Sequence, residues 1–213
     1  MNPSPRRSRR AHSPRETMRP EAFPGPAADP DAAPPGRPLP DLLPHNLREC
    51  TFAGLDPLRA WEAHRVCQKY AGQGQFQGHR GLFLFGPPGA GKSSLAAAIL
   101  HQVVDWAQNP HQARFWPLRR SLQVIRETQG QPPAQRLSLT DLLASPLAIL
   151  DQLEGPTSLW EAHQLELLLP LLWDDERQIV VTTDLSIKEL EQALSPLWVW
   201  RLLAMYKWVW VGR

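Results

Sequence analysis

An eight-residue pattern at residues 86–93 constrains the fold of this chain more than any other feature. It reads Gly-Pro-Pro-Gly-Ala-Gly-Lys-Ser and follows the apolar run Leu-Phe-Leu-Phe at residues 82–85. Glycines let backbone N–H groups turn toward one point, and the start of a helix adds the positive end of its dipole. The pattern matches G-x-x-x-x-G-K-[ST], which predicts a phosphate-binding loop between a buried strand and a helix.

The last residues of the pattern indicate a nucleoside triphosphate with magnesium. Lys92 supplies a positive charge for the β- and γ-phosphates, and the Ser93 hydroxyl is a ligand for Mg²⁺. A chance glycine-rich turn would not have the strand, the full pattern and the helix in register. We therefore predict an ATP site formed by Gly86, Pro87, Pro88, Gly89, Ala90, Gly91, Lys92, Ser93 and Ser94.

Apolar strands alternate with helical patterns along the rest of the chain. The predicted strands lie at residues 81–85, 113–116, 147–150, 178–183 and 206–211, and the predicted helices at 56–71, 92–104, 118–128, 139–144 and 159–173. Strands joined through helices are parallel, so the chain is predicted to be an α/β protein with ligands at the carboxyl ends of its strands.

Proline divides the chain into two parts. Of the 23 prolines, 12 fall within residues 1–44, together with an arginine cluster and almost no periodic apolar residues. Proline lacks a backbone donor and biases the preceding residue away from helix, so this composition cannot build a core. We predict a disordered tail at residues 1–44 and an ATP-binding domain at residues 45–213.

Charge, cysteine content and hydropathy exclude several classes of protein. The formal net charge of +2 demands neither a nucleic acid nor a membrane partner. The two cysteines rule out a disulfide framework and a zinc site made mainly of thiolates. Because the chain has no apolar run of about 18 residues, we expect no membrane span and a cytoplasmic location.

Carboxylates near the end of the third strand are candidates for catalysis. Hydrolysis needs an acid for the metal and a group that orients the attacking water. Asp151, directly after an apolar strand, would hold Mg²⁺. Gln152 stands where many such ATPases have a second acid, and its amide could orient water without accepting a proton. Glu154 is the nearest carboxylate that could substitute, although a loop acid is more commonly only solvated.

Asp184 follows the fourth strand, at the same edge of the predicted sheet. Phosphates repel an anion there unless it binds metal or acts as a base. Asp184 is therefore an unusual sensor of the nucleotide, a helper base, or a cap of the next helix. Because Ser186 and Glu189 have the spacing of a capping box, we expect Ser186 to cap that helix.

Five segments together resemble one known family. They are residues 85–93, 147–151 with Trp160 after them, 181–186, 48–56 and 114–118. In these segments the chain is similar to the AAA+ ATPases of the DnaC/IstB type, which are helicase loaders and transposition helper ATPases. The resemblance runs from about residue 46 to the C-terminus.

The resemblance implies a fold and an assembly. The fold is a P-loop NTPase core, a five-stranded parallel sheet of order 5-1-4-3-2 between helices, with no or a minimal C-terminal lid. Arg201 falls where the family has an arginine finger acting on a neighbouring subunit's nucleotide, which implies a nucleotide-dependent homo-oligomer. The alternative is a surface arginine stacked on tryptophans, at Trp198, Trp200 and Trp208.

Three positions depart from the family pattern. Gln152 replaces its second acid, Asp184 its usual asparagine, and Leu172 a common arginine. Losing charge-handling groups of this kind lowers turnover by factors of roughly hundreds. We therefore expect ATP binding with slow hydrolysis to ADP and phosphate, used as a timer or switch.

The resemblance also implies partners, namely DNA, expected to be single-stranded, and a replicative helicase or transposase. The residues themselves leave the DNA question open. Basic residues mixed with aromatics can follow a nucleic-acid backbone and stack bases, and this mixture occurs at Arg114, Phe115, Trp116, Arg119, Arg120 and Arg126. The same pattern equally fits aromatic rings in the core and arginines on a solvated helix face.

Two other functions remain open from the sequence. Gln152 and Leu172 favour a nucleotide-dependent scaffold or transposition helper with little hydrolysis. A small-molecule P-loop kinase would also use residues 86–93. Such a kinase needs an arginine-rich lid over the phosphates, and residues 153–201 contain only two arginines.

Overall fold

The computed structural model describes residues 41–73, 79–174 and 178–212. The tail predicted at residues 1–44 lies outside the described residues except for its last four. Among these four, Leu42 and Leu43 pack against the protein core.

Five strands form one parallel sheet. They are β1 (Gly81–Phe85), β2 (Ala113–Pro117), β3 (Leu147–Asp151), β4 (Gln178–Thr183) and β5 (Tyr206–Trp210). The order across the sheet is β2-β3-β4-β1-β5, and all four strand pairs are parallel. The expected order 5-1-4-3-2 is confirmed, and each predicted strand lies within one residue of its observed bounds.

Helices connect the strands and cover both faces of the sheet. In the described residues they are α1 (Trp61–Gln73), α2 (Lys92–Ala107), α3 (Leu118–Thr128), α4 (Leu159–Asp174), α5 (Ile187–Leu194) and α6 (Pro196–Met205). A parallel pair of strands cannot be joined by a tight hairpin, so each connection crosses over through a helix. None of the described helices is both long and apolar enough to cross a membrane.

Strand β1 shows why its sequence is apolar throughout. Successive side chains of a strand point to opposite faces of the sheet. Leu82 and Leu84 lie in the core cluster that α1 and α2 share, whereas Phe83 lies in the cluster on the other face, with α3 to α6. Full burial of each such side chain contributes roughly 1.5–3 kcal/mol. Two-sided burial holds the strand that leads into residues 86–93.

The helix predicted at residues 56–71 is interrupted near its start. A short 3-10 turn, Pro57–Arg59, comes first, and the Asp56 carboxylate accepts the Leu58 N–H at its beginning. Ala60 then leaves the helical region, with φ −154° and ψ 61°, and α1 begins one residue later. Proline favours the first position of a helical turn, which explains the local start. The helix predicted at residues 139–144 is likewise a 3-10 turn, Thr140–Leu143.

The capping box predicted at the start of α5 is confirmed. Ser186 Oγ accepts the backbone N–H of Glu189 at 3.3 Å, and the Ser186 N–H donates to Glu189 Oε2 at 2.8 Å. These bonds satisfy backbone donors that the first turn of a helix leaves free. The box ends the loop after β4, so Asp184 does not serve as the cap of α5.

Candidate functional site

The predicted phosphate-binding loop is a compact turn at the carboxyl end of β1. Within it the Ala90 N–H donates to the carbonyl oxygen of Pro87 at 3.3 Å. Gly89 and Gly91 have φ values of 77° and 96°, a left-handed conformation that glycine adopts without a steric penalty. Gly91 is the N-cap residue of α2. The loop therefore leads directly into a helix N-terminus, where anions are stabilised.

Gly86 lets this loop pass close to the chain that follows β5. A Cβ atom at residue 86 would lie 2.1 Å from the carbonyl oxygen of Val211, and the φ of Gly86 is 152°. The Val211 N–H donates to the carbonyl oxygen of Phe85 at 2.8 Å, so this contact is part of the sheet. Only glycine fits at this position.

Lys92 is buried at the centre of the site, with all three of its ammonium donors in use. Its Nζ lies 2.8 Å from the carbonyl oxygen of Gly86 and 2.7 Å from that of Pro87. The third contact is an ion pair, 2.6 Å from Asp184 Oδ1. An ammonium group has three donors, so these contacts hold the charge over the loop. Lys92 was predicted to supply a positive charge for phosphates, and its ammonium lies over the loop that was predicted to bind them.

Asp151 is buried beside the loop and receives a hydrogen bond from a threonine hydroxyl. Thr182 Oγ1 donates to Asp151 Oδ1 at 2.7 Å. The Ser93 hydroxyl, in the first turn of α2, is near enough to this carboxylate to affect its pKa. Burial raises the pKa of Asp151 above its usual value, and the negative charge of Asp184 adds to that rise. The hydroxyls of Thr182 and Ser93 and the charge of Lys92 lower the pKa of Asp151. The two residues predicted as metal ligands, Ser93 and Asp151, thus lie near each other.

The donor set fits Mg²⁺. This cation takes oxygen ligands, and proteins commonly bind it through one or two carboxylates together with substrate phosphates. Ser93 and Asp151 supply a hydroxyl and one carboxylate. Among the described residues no group of three or more His, Cys, Asp or Glu side chains could form a cage of its own. Such a site needs the phosphates of a nucleotide to complete it.

The structure puts Gln152 and Glu154 on the side of the site that faces α3. Gln152 has a left-handed backbone, with φ 61°, its N–H donates to Thr182 Oγ1 at 2.9 Å, and its side chain is exposed. Glu154 pairs with Arg119 of α3 at 3.4 Å. Both residues line a small cavity of about 20 Å³. The carboxylate that could substitute for a second acid is therefore held by an arginine.

Arg201 lies toward the amino ends of the strands, at the end of the sheet opposite the phosphate-binding loop. Its guanidinium carbon is 4.6 Å from the ring centre of Trp198 and 5.1 Å from that of Trp173. Trp173 precedes the start of β4, and its carbonyl oxygen accepts a bond from the side chain of Arg80, just before β1. The loop follows the carboxyl end of β1. Because a five-residue strand is about 17 Å long, Arg201 is separated from the loop of its own chain by about that length.

Stacking of Arg201 on Trp198 is confirmed, and the second ring is Trp173. The expected stacking on the other two rings is not seen: Trp208 stacks on Phe83, with ring centres 4.1 Å apart, and Trp200 is exposed.

The aromatic residues of β2 belong to the core. Phe115 and Trp116 are buried, in different clusters on the two faces of the sheet. Neither ring is available to stack on a base. Of the nearby arginines, Arg119 pairs with Glu154 and Arg120 donates to Gln123 Oε1 at 3.0 Å. The interpretation with aromatic rings in the core is the one that the structure supports.

A second cavity beside the loop was not predicted from the sequence. It has a volume of about 300 Å³ and is lined by Gly54, Leu55, Asp56, Arg59, Ala60, His64, Ala90, Gly91, Ser94 and Leu95. One wall thus comes from the segment before and within α1, and the other from the start of α2. Residues 48–56 resemble the segment that precedes the first helix in the DnaC/IstB family, and this resemblance could have indicated that residues 54–56 line the site. Pockets of this size and mixed character suit a small-molecule group such as a base.

Comparisons with known proteins give the fold. No family model matches this chain, and no curated protein matches it either. A crystal structure of the DnaC helicase loader has a TM-score of 0.67 and 17% identity, and the match covers 79% of this chain and 100% of that one. A DnaI structure has a TM-score of 0.62 and 17% identity, over 81% of this chain and 96% of that one.

A third solved structure is the replication initiator DnaA bound to AMPPCP and single-stranded DNA. Its TM-score is 0.61 at 16% identity, and the match covers 80% of this chain and 51% of that chain. At these identities the likeness concerns the fold. With its open five-stranded parallel sheet and the loop at residues 86–93, the chain has the P-loop AAA+ fold of the DnaC helicase loader.

Proposed function

We propose that this protein binds ATP with Mg²⁺, hydrolyses it slowly, and acts in DNA replication in the manner of a helicase loader. The observation that carries the proposal is the meeting of Lys92, Ser93 and Asp151 at one compact loop. A cation, a hydroxyl and a carboxylate lie there at the N-terminus of α2. These groups match what the phosphates and the metal of a nucleotide need.

The chain's own residues divide the binding work. The backbone N–H groups of the non-proline residues of this loop, among them Gly89 and Gly91, and the ammonium of Lys92 hold the phosphates. Ser93 and Asp151 hold Mg²⁺, which when bound neutralises charge on the phosphate oxygens. The cavity of about 300 Å³ between the start of α2 and residues 54–64 receives the base. Lys92 must leave Asp184 to reach the phosphates.

Slow hydrolysis follows from the groups around the attacking water. Gln152 can orient a water molecule but cannot take its proton. Glu154 is paired with Arg119 on the side of α3. Asp184 is the remaining acid of the predicted set, and it contacts Lys92. A site with these groups retains phosphate binding and loses much of its ability to activate water.

The partners are proposed from the solved structures with the same fold. One of these proteins is described as a helicase loader, and another as bound to AMPPCP and single-stranded DNA. We infer single-stranded DNA and a replicative helicase or transposase as partners here. Arg201 lies toward the amino ends of the strands, whereas the loop of the same chain lies at the carboxyl end of β1. Any action of Arg201 on a nucleotide would therefore occur in a neighbouring copy of the chain.

Binding and hydrolysis test the proposal directly. A fluorescent ATP analogue is titrated with Mg²⁺, and phosphate release from ATP is followed with and without single-stranded DNA. Lys92→Ala should weaken binding about 100-fold or more, since it removes the cation of the site. Lys207→Ala is the matched control, because Lys207 is an exposed lysine of β5. Equal binding by both variants would contradict the nucleotide site.

A nucleotide-dependent scaffold is the second candidate, because Glu154 pairs with Arg119 and residue 152 is an amide. It predicts ATP binding and assembly, with phosphate release that Lys92→Ala does not lower further. A rise in phosphate release with DNA would exclude this candidate.

A further inference from the structure

Thr182 was not among the residues predicted for the site, yet its side chain touches two of them. It lies near the end of β4 and is 1% exposed. Its Oγ1 is 2.7 Å from Asp151 Oδ1 and 2.9 Å from the backbone nitrogen of Gln152. One hydroxyl therefore joins the end of β3 to β4 at the point where the metal ligand Asp151 is predicted.

The direction of both hydrogen bonds is fixed by chemistry. A backbone N–H can only donate, so Thr182 Oγ1 accepts from Gln152. An ionised carboxylate can only accept, so the single proton of the hydroxyl points to Asp151 Oδ1. Because one bond is accepted and the other donated by the same oxygen, the Thr182 side chain cannot change its χ1 rotamer without losing both. Thr182 thus sets the rotation of the Asp151 carboxylate relative to the backbone of β3.

The neighbouring Thr183 provides a comparison within the same strand. It is also 1% exposed, and its Oγ1 donates to the carbonyl oxygen of Leu153 at 2.6 Å. The same oxygen accepts the Leu185 N–H at 3.1 Å. Each threonine hydroxyl thus makes two hydrogen bonds, and each bonds to the end of β3 or to the chain just after it. One of the two bonds of Thr182 is to the carboxylate of Asp151, whereas both bonds of Thr183 are to backbone groups.

We propose that Thr182 is a positioning residue for the metal, which holds the Asp151 carboxylate in the orientation that binds Mg²⁺ next to Ser93. The inference rests on the proposed function, since it requires a nucleotide–metal complex at the loop. Partners that orient a metal ligand typically contribute about 10-fold to 100-fold in metal affinity. Thr182 contributes to binding of the metal and not to binding of the metal-free nucleotide.

The test compares nucleotide binding in EDTA with binding in Mg²⁺. The ratio of the two dissociation constants for a fluorescent ADP analogue gives the factor by which metal strengthens binding. Thr182→Val keeps the shape of the side chain and removes the hydroxyl, and it should lower this factor about tenfold. Thr182→Ser keeps the hydroxyl and should restore the factor to within about twofold to threefold.

Thr183→Val is the control for a merely structural effect. It removes an equally buried hydroxyl with two hydrogen bonds, so its cost in stability should resemble that of Thr182→Val. The metal factor should stay unchanged in this variant. Mn²⁺ binding to each variant with ADP, followed by electron paramagnetic resonance, gives a second readout that does not depend on turnover.

The outcomes separate this inference from the proposed function. If the unaltered protein binds no nucleotide, the proposed function fails. If it binds nucleotide, and Thr182→Val keeps the full metal factor or loses no more of it than Thr183→Val, the positioning role of Thr182 is wrong. Thr182→Ala is measured in the same way if the valine variant does not fold.

Discussion

The ammonium of Lys92 lies 2.6 Å from a carboxylate oxygen of Asp184, at the loop that we propose as a phosphate site. Lys92 is nearly fully buried, whereas the Asp184 side chain is 38% exposed. Under the proposed function, the carboxylate occupies the position where the lysine would meet the phosphates, and it would also repel them. If the site binds ATP as we propose, ATP has to displace Asp184 before Lys92 can bind the β- and γ-phosphates.

The first prediction is that Asp184→Asn strengthens ATP binding. An amide keeps the size of the side chain and removes the charge that competes for Lys92. We expect the dissociation constant for ATP–Mg²⁺ to fall about tenfold, which corresponds to ~1.4 kcal/mol. Isothermal titration calorimetry measures it. Glu191→Gln, the same change of charge on α5, should leave the affinity unchanged, and weaker binding by Asp184→Asn would contradict the competition.

A second prediction concerns the stability of the protein without ligands. Burial raises the pKa of Asp151, so the ionised carboxylate is less favourable in the folded than in the unfolded state. Its charge then lowers the free energy of unfolding near neutral pH. As the pH falls through the raised pKa, the carboxylate takes up a proton and this cost disappears. Asp151→Asn should therefore raise the Tm near neutral pH.

Thermal unfolding at a series of pH values checks this prediction. The difference in Tm between Asp151→Asn and the unaltered protein should shrink as the pH is lowered toward the usual range of aspartate. Asp105→Asn, at an exposed position of α2, serves as the control for the change in net charge. A variant at Asp151 that is less stable at every pH would show that the carboxylate stabilises the fold.

A third prediction separates two glycines of the loop. Gly86→Ala places a Cβ atom 2.1 Å from the carbonyl oxygen of Val211, a backbone atom held by the sheet. We expect it to lower the free energy of unfolding by about 3 kcal/mol. At Gly89 no atom of the described residues lies within 4 Å of such a Cβ, and only the φ of 77° is unfavourable. Gly89→Ala should therefore cost ~1 kcal/mol.

Urea unfolding curves measure both glycine variants under the same conditions. Both should bind ATP more weakly, because each changes the loop. The difference in stability is what distinguishes the two positions. Similar losses of unfolding free energy would mean that the close approach of Gly86 to Val211 does not constrain the fold.

Strand β4 and Asp184 illustrate what the sequence could and could not predict. The run Gln-Ile-Val-Val-Thr-Thr predicted a strand at residues 178–183, and the observed β4 has the same bounds. β-Branched residues in an uninterrupted run carry that signal locally. The ion pair of Asp184 with Lys92 depends on the parallel register of β1 and β4, where Phe85 lies opposite Thr183. No local pattern contains that pairing.

Side-chain partners were harder to predict than strands for the same reason. The sequence left Glu154 open as a catalytic acid or a solvated residue, and its pairing with Arg119 depends on how α3 packs beside the end of β3. Arg201 was expected to stack on nearby tryptophans if it was not a finger. Trp173 comes from α4, which only the tertiary fold brings to α6. The strand order was predicted from the family resemblance, and the positions of the strands and helices were predicted from local apolar patterns.

The last prediction tests Arg201 by mixing two inactive variants. If Arg201 acts on the nucleotide of a neighbouring copy, Arg201→Ala binds ATP normally and loses the rise in phosphate release caused by single-stranded DNA. Lys92→Ala binds ATP about 100-fold or more weakly, but its Arg201 can still act on a neighbour's nucleotide. A mixture of the two should regain part of that rise, because some neighbours then combine an intact loop with an intact arginine.

Trp173→Leu, which removes a stacking ring and keeps the arginine, should retain most of the rise and cost ~1 kcal/mol or more in stability. Mixtures no more active than either variant alone would instead leave Arg201 with the structural role that its contacts with Trp173 and Trp198 provide.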